Sequence, residues 1–145
     1  MKNQISHEPV RAGHGHLDAL SQRPSGSLPA SYSHPGQDLA ITVMSVEEQL
    51  SGWYALLRQS KGRDQIAHAY DRLIDAIQFH ARWRILSYTE SAMRGYDSLK
   101  KLKIRIGKTD LRIAAITLEH GGTLVTRNLR DFQQIPNLPL ENWAV

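Results

Sequence analysis

The chain contains no cysteine. Disulfides, thiolate nucleophiles and zinc–thiolate sites are thereby excluded. No run approaches the roughly 18 apolar residues of a membrane-spanning helix. The N-terminus has no apolar signal-peptide centre. These absences predict a cytoplasmic protein with no membrane partner. The chain also lacks a G-x-S-x-G elbow, a phosphate-cradling glycine loop and a Cys/His pair, so the usual sequence signs of acyl transfer and nucleotide binding are missing. There is no internal repeat. At 145 residues it is long enough for one domain with a single core. An apolar content of 41% is slightly low for a compact fold, which predicts that part of the chain stays outside the core.

The net charge is +4 and the pI is about 9.6. That balance favours an acidic partner such as nucleic acid. Residues 1–37 are rich in Gly, Pro, Ser and His, and Pro9, Pro24, Pro29 and Pro35 punctuate them. They read as a flexible N-terminal segment with at most a short helix near Leu17–Gln22. Residues 38–145 read as the folded domain. Leu39–Met44 is a short apolar, β-branched run, hence a buried strand. Ser45 and Glu48 fit a capping box opening a helix to about Ser60, with Gly62 as its stop. Ile66, Tyr70, Leu73, Ile74 and Ile77 recur at helical spacing and predict an amphipathic helix from Arg63 to about Arg82. Arg84–Tyr88 reads as a strand, and Thr89 as the cap of a helix to about Lys103. Thr109 can cap a helix from Asp110 to His120 that is apolar almost all round, ended by Gly121–Gly122. Thr123–Thr126 is a strand, and Leu138-Pro139-Leu140 an edge strand. Alternating strand and helix patterns predict an α/β fold with a parallel sheet.

Several polar residues stand where such folds keep their sites, at the carboxyl edge of the sheet. Glu48 can be a metal ligand one turn into its helix, or it can merely complete the capping box. Asp110 opens a nearly all-apolar helix. It can serve the helix dipole, or it can need a metal or partner because its surroundings are apolar. Asn128 and Asp131 follow a strand end, where turn chemistry is the ordinary role. Lys100, Lys101, Lys103, Arg105, Lys108 and Arg112 form a basic cluster flanking Asp110. It reads either as a solvated helix end or as a phosphate-contacting patch. Trp53, Tyr54 and Tyr70 read as core or interface rather than base-stacking platforms. His14 and His16 lack a third ligand nearby. Carboxylates converging at one edge would suit a hard cation better than packing.

From Leu39 to Trp143 the chain resembles the PIN domain of VapC-type toxins, the ribonuclease half of bacterial type II toxin–antitoxin pairs. Ser45–Gly52 is similar to the family's helix carrying an acid three residues after Ser/Thr and four before Gly, which places that acid on Glu48. Ile106–Ala115 is similar to its most characteristic motif, with the acid at Asp110. Leu124–Phe132 matches the strand and turn bearing its last polar ligands, Asn128 and Asp131. Ile135–Leu138 and Glu141–Trp143 match its usual ending.

The resemblance implies a three-layer α/β/α PIN-like domain with a short, mostly parallel central sheet. It implies an endoribonuclease using Mg2+ or Mn2+, with Glu48, Asp110 and Asp131 as metal ligands and Asn128 in support. The basic cluster would hold RNA. A small antitoxin would cover the acidic cleft, and the toxin would often be a homodimer. The N-terminus departs from the pattern. These domains open with a hydrophobic strand running into Asp, whereas aligning His16-Leu17 with the family's histidine-leucine puts Gly13 where the first acid belongs. Asp18, the nearest acid, stands five residues late. The departure implies impaired cleavage, and it keeps a second reading open: an inactive module that only binds an antitoxin or RNA.

Overall fold

The computed structural model describes residues 9–11 and 39–142. Strands and helices are interspersed along the chain: β1 (Pro9–Arg11), β2 (Leu39–Thr42), α1 (Val43–Gln59), α2 (Arg63–Ala81), β3 (Arg84–Leu86), α3 (Glu90–Lys101), α4 (Lys108–Glu119), β4 (Thr123–Val125), α5 (Leu129–Phe132) and β5 (Leu140–Glu141). The five strands form one sheet in the order β3-β2-β1-β4-β5. Pairing is parallel between β2 and β3 and between β4 and β5. The α/β class read from the sequence is the observed one.

The strand β1 corrects the reading of residues 1–37 as loop throughout. Pro9–Arg11 lies between β2 and β4, antiparallel to both, with Val10 opposite Ala40 and Leu124. Three residues are too few to show a period of two. Two neighbouring strands with unpaired inner edges, rather than any local preference, make this segment a strand. Proline is tolerated at its first position because a strand's opening N–H can go unpaired. The remainder of residues 1–37, including the short helix expected near Leu17–Gln22, lies outside the described residues.

The antiparallel sense matters for the site. Pro9 stands opposite Ile41, so β1 begins at the carboxyl edge of β2. Arg11 stands opposite Leu39 and Thr123, at the amino edge. The alignment that set Gly13 in place of a first acid assumed a strand running the other way.

The core is built where α3, α4 and α5 meet the sheet. Ala40, Leu86, Ala92, Leu99, Leu124, Phe132 and Ile135 pack with the residues of α4. In α4 itself Leu111, Ile113, Ala114, Ala115, Ile116 and Thr117 are all buried, as its apolar circumference predicts. The Thr117 hydroxyl donates to the Ile113 carbonyl at 2.8 Å, which satisfies its one buried polar atom. The helix ends as a Schellman turn. Gly121 takes φ +58°, its N–H donates to Leu118 and that of Gly122 to Thr117. Glycine adopts that φ readily because it has no Cβ.

Two helix starts differ from expectation. Thr42, not Ser45, caps α1: its hydroxyl accepts from the Ser45 N–H at 3.2 Å and shares a 3.1 Å hydrogen bond with the Ser45 hydroxyl. β2 ends at Thr42, opposite Leu86 of β3, and the fully buried Thr42 hydroxyl needs a partner there. Likewise Gly107, not Thr109, is the N-cap of α4, and no side chain caps that end. For α3 the expected cap holds, since Thr89 accepts from the Ala92 N–H at 3.1 Å.

The helix α2 packs against α1, and its buried residues are Ala69, Ala76 and His80. Burial lowers the pKa of His80 and favours its neutral form. The larger apolar residues of α2 face outward: Ile66, Tyr70, Ile74 and Ile77 are exposed, as are Tyr54 and Leu56 of α1. Small alanines let the two helices approach closely, and the bulky stripe is left on the outside.

Candidate metal and nucleic-acid site

Each candidate acid sits just after a strand or at a helix start. Glu48 lies in the second turn of α1, half-buried. Because Thr42 and Ser45 cap that helix between themselves, Glu48 has no capping duty, and the ordinary explanation for it falls away. Asp110 is the third residue of α4 and is partly buried. A Cβ added at Gly107 would stand 4.0 Å from its Oδ2, so the carboxylate folds back over the uncapped helix start. Asp131 is the third residue of α5, and Asn128 is that helix's N-cap residue.

The turn from β4 into α5 is tied by its own side chains. The Asn128 N–H donates to the Thr126 hydroxyl at 2.8 Å, and Thr126 is buried. The Asn128 amide Nδ2 donates to Asp131 Oδ2 at 2.8 Å. Gln134 Nε2 donates to the Asp131 carbonyl at 3.2 Å. The neighbouring Phe132 ring is fully buried and anchors the turn.

These carboxylates feel one another across the sheet edge. Burial raises the pKa of Asp110, and the charge of Asp131 raises it further. The pKa of Glu48 is raised by burial, then by Asp110, then by Glu47. Among the described residues no cation contributes a compensating pull to either group. Two elements far apart in sequence thus place like charges close enough to oppose ionisation, a pattern common at functional sites. All the donors are hard oxygens, which suits Mg2+ or Mn2+ chemically. Among the described residues, however, no three His, Asp or Glu side chains are gathered tightly enough to hold one ion.

The basic cluster divides. Lys100, Lys101, Lys103, Arg105 and Lys108 are exposed along the end of α3 and the link into α4. The link turns at Lys103, with φ +54°. Arg112 is placed differently. Two residues beyond Asp110, it points to the other side of α4, about 200° around at 3.6 residues per turn. Its guanidinium carbon lies 5.6 Å from the Tyr88 ring centre and 5.7 Å from that of Tyr96. It joins α4 to the start of α3 by cation–π contact.

Two features went unnoticed in the sequence. Arg127 and Arg130 are exposed and interleave with Thr126, Asn128 and Asp131. The alternation itself was a readable signal. The other feature is the outward apolar face of α1 and α2, which helical periodicity cannot distinguish from a core face. His14, His16, Asp18, Gly13 and Trp143 lie outside the described residues.

No protein-family model matches the chain. A curated relative, Ribonuclease VapC2 of Rickettsia felis, is 36% identical over 69 residues, 45% of this chain and 52% of the relative. The chain therefore spans about half the length of that relative. Among solved structures, VapBC2 from Rickettsia felis bound to a promoter DNA fragment is similar at 30% identity and a TM-score of 0.54, covering 72% of this chain and 74% of that one. VapBC-1 from nontypeable Haemophilus influenzae superposes with a TM-score of 0.59 at 24% identity, over 78% of this chain and 80% of that one. DNA-bound VapBC from Salmonella typhimurium gives 0.59 at 24%, over 72% and 75%. The last two show a shared fold alone.

Proposed function

Since this chain belongs to the VapC-type PIN-domain family, we propose that it is the metal-dependent endoribonuclease of a toxin–antitoxin pair. The observation that carries this reading is the placement of Glu48, Asp110 and Asp131 at the carboxyl edge of the sheet, where burial and the Asp131 charge raise the pKa of Asp110, and burial and the Asp110 charge raise that of Glu48. Half-buried like charges are costly unless a cation joins them. Glu48, Asp110 and Asp131 would hold Mg2+ or Mn2+. The chemistry such an ion would supply there is a bound water of lowered pKa and neutralisation of the charge developing on a phosphodiester.

The chain's own groups have separate tasks. Asn128 donates to Asp131 and so fixes which carboxylate oxygen stays free; such supporting bonds orient ligands. The lysines and arginine from Lys100 to Lys108 would hold the RNA backbone. The exposed apolar face of α1 and α2, with Tyr54, Leu56, Ile66, Tyr70, Ile74 and Ile77, would receive the antitoxin or a second copy in a homodimer. An antitoxin segment reaching the acidic edge would silence the site. Among the described residues no helix is long and apolar enough to cross a membrane, and the proposed place of action is the cytoplasm.

A specific observation favours the second reading, a catalytically inactive module that binds antitoxin or RNA. Among the described residues the three acids do not close into a ligand cluster, and β1 runs antiparallel to its neighbours, so its last residue, Arg11, stands at the amino edge and not at the acidic one. Ligand placement sets where an attacking group meets phosphorus, and a misplacement of about 1 Å can cost roughly a hundredfold. Weak or absent cleavage is therefore expected. The test is an RNA cleavage assay with Mg2+ and with Mn2+, beside an Asp110→Ala control. Robust cleavage lost in the control would establish the enzyme and refute the impairment. No cleavage, with RNA or antitoxin binding retained, would establish the inactive module.

A further inference from the structure

Resting on the ribonuclease reading, we propose that Arg127 and Arg130 form a second phosphate-holding flank. A single-stranded RNA backbone would then cross the carboxylate edge between two cationic sides. The first side is the Lys100–Lys108 segment leading into Asp110. The second is the turn between β4 and α5, where the two arginines alternate with the site residues.

The turn offers rigid roots and free heads. Its backbone is held by the Asn128–Thr126 and Asn128–Asp131 hydrogen bonds, each 2.8 Å, and by the fully buried Phe132 beside it. Both arginines nonetheless project as exposed side chains. Among the described residues neither joins an ion pair or an aromatic contact. Other arginines do: Arg72 pairs with Asp75 at 2.6 Å, and Arg112 lies over Tyr88 and Tyr96. Asp131, only one residue from Arg130, takes its hydrogen bond from Asn128 instead. The guanidiniums therefore neither neutralise the acids nor brace the fold. Arginine is well suited to the remaining task, since its planar fork grips phosphate oxygens in pairs.

The full chain would be titrated with a short, end-labelled, mixed-sequence single-stranded oligoribonucleotide in EDTA. Binding would be read by fluorescence anisotropy over a salt series. The Arg127→Gln/Arg130→Gln variant should flatten the dependence of log affinity on log salt by about 1.4, at roughly 0.7 for each lost phosphate contact. A remote pair, Arg58→Gln/Arg63→Gln, should leave the slope unchanged. If the double variant does not fold, the single variants should each flatten the slope by about 0.7. An unchanged slope in the arginine variants, with a flatter one after Lys100, Lys101 and Lys103 are replaced by alanine, would overturn the second flank and keep the RNA-binding reading. An equal effect of the remote pair would also overturn it, because the binding would then be diffuse. Wild-type protein that binds no RNA would overturn both readings.

Discussion

Replacing Asp110 by asparagine should stabilise the metal-free protein and remove its response to a divalent cation. A carboxyl whose pKa is higher folded than unfolded binds its proton more tightly in the native state. Its cost is absent below the unfolded pKa and grows to its full value as pH rises through the folded one. Asp110 and Glu48 are both shifted this way, by burial first and by neighbouring carboxylates second. The cost therefore grows as pH rises above the unfolded values, and the Asp110→Asn substitution would lift it from both ends of the interaction. Coupled neighbours typically interact by about 0.5–3 kcal/mol. Partial exposure and solvent screening place this pair at the low end. Against the gain stands the loss of a favourable charge in the first turn of α4, about 0.3–1 kcal/mol. These two contributions nearly offset, and relief of the burial that is the larger cause of the Asp110 shift leaves a net gain of about a few tenths of a kcal/mol, roughly 1 °C in melting temperature for a chain of this size. Saturating Mg2+ or Mn2+, at a hundredfold its dissociation constant, should stabilise the wild type by about 2.7 kcal/mol and the variant far less. Melting curves in EDTA and in each metal, from pH 4 to 7.5, would decide. The difference between the two proteins in EDTA should shrink as pH falls towards 4. A variant that is less stable than wild type in EDTA at neutral pH, by more than the helix-charge loss, would refute the reasoning. It would mean that the Asp110 charge is compensated.

Three further outcomes are expected. Thr42→Ala should cost about 1 kcal/mol, as loss of an N-cap does, whereas an equal or larger loss from the capping-box exchange Glu48→Ala in urea unfolding would restore Ser45 as the cap. Phe132→Ala should cost about 3–5 kcal/mol, since the ring is fully buried; hydrogen exchange across residues 126–134 should rise, and a loss under about 1 kcal/mol would show that the turn does not depend on it. Replacing Lys100, Lys101 and Lys103 with alanine should flatten the salt dependence of RNA binding by roughly 0.7 for each lost contact, and an unchanged slope would make that segment a solvated helix end.

Helices and most strands were legible because their signals are local and repeated. The apolar circumference of α4, the Thr89 cap and the Gly121–Gly122 ending each require only a few adjacent residues. Where the sequence misled, the deciding interaction was distant. Thr42-x-x-Ser45 and Ser45-x-x-Glu48 both look like helix starts. Pairing of Thr42 with Leu86 ends the strand at Thr42 and so selects the first. The strand Pro9–Arg11 has no pattern of its own and exists through two partners. The outward stripe of α2 has the period of a core face, and only the burial of Ala69 and Ala76 reveals which side is inside. In the candidate site the acids were readable as residue types. Their mutual repulsion, and the departure of Arg112 to the far side of α4, depend on how α1, α4 and α5 are set around the sheet.

The place of β1 has a consequence for how this protein assembles. Among the described residues the two parallel pairs, β3 with β2 and β5 with β4, are joined within the sheet through Pro9–Arg11. Val10 must find Ala40 on one side and Leu124, near the other end of the chain, on the second. Closing so long a loop is entropically unfavourable, and such contacts tend to form slowly. Glu48 follows one pair, while Asp131 follows the other. The spacing between those two carboxylates is therefore under the control of a three-residue strand at the start of the chain, together with the helices that span the seam. Anything that draws that strand out, whether a partner competing for its edges or a change in the residues before Leu39, acts on the acids from the opposite end of the sequence.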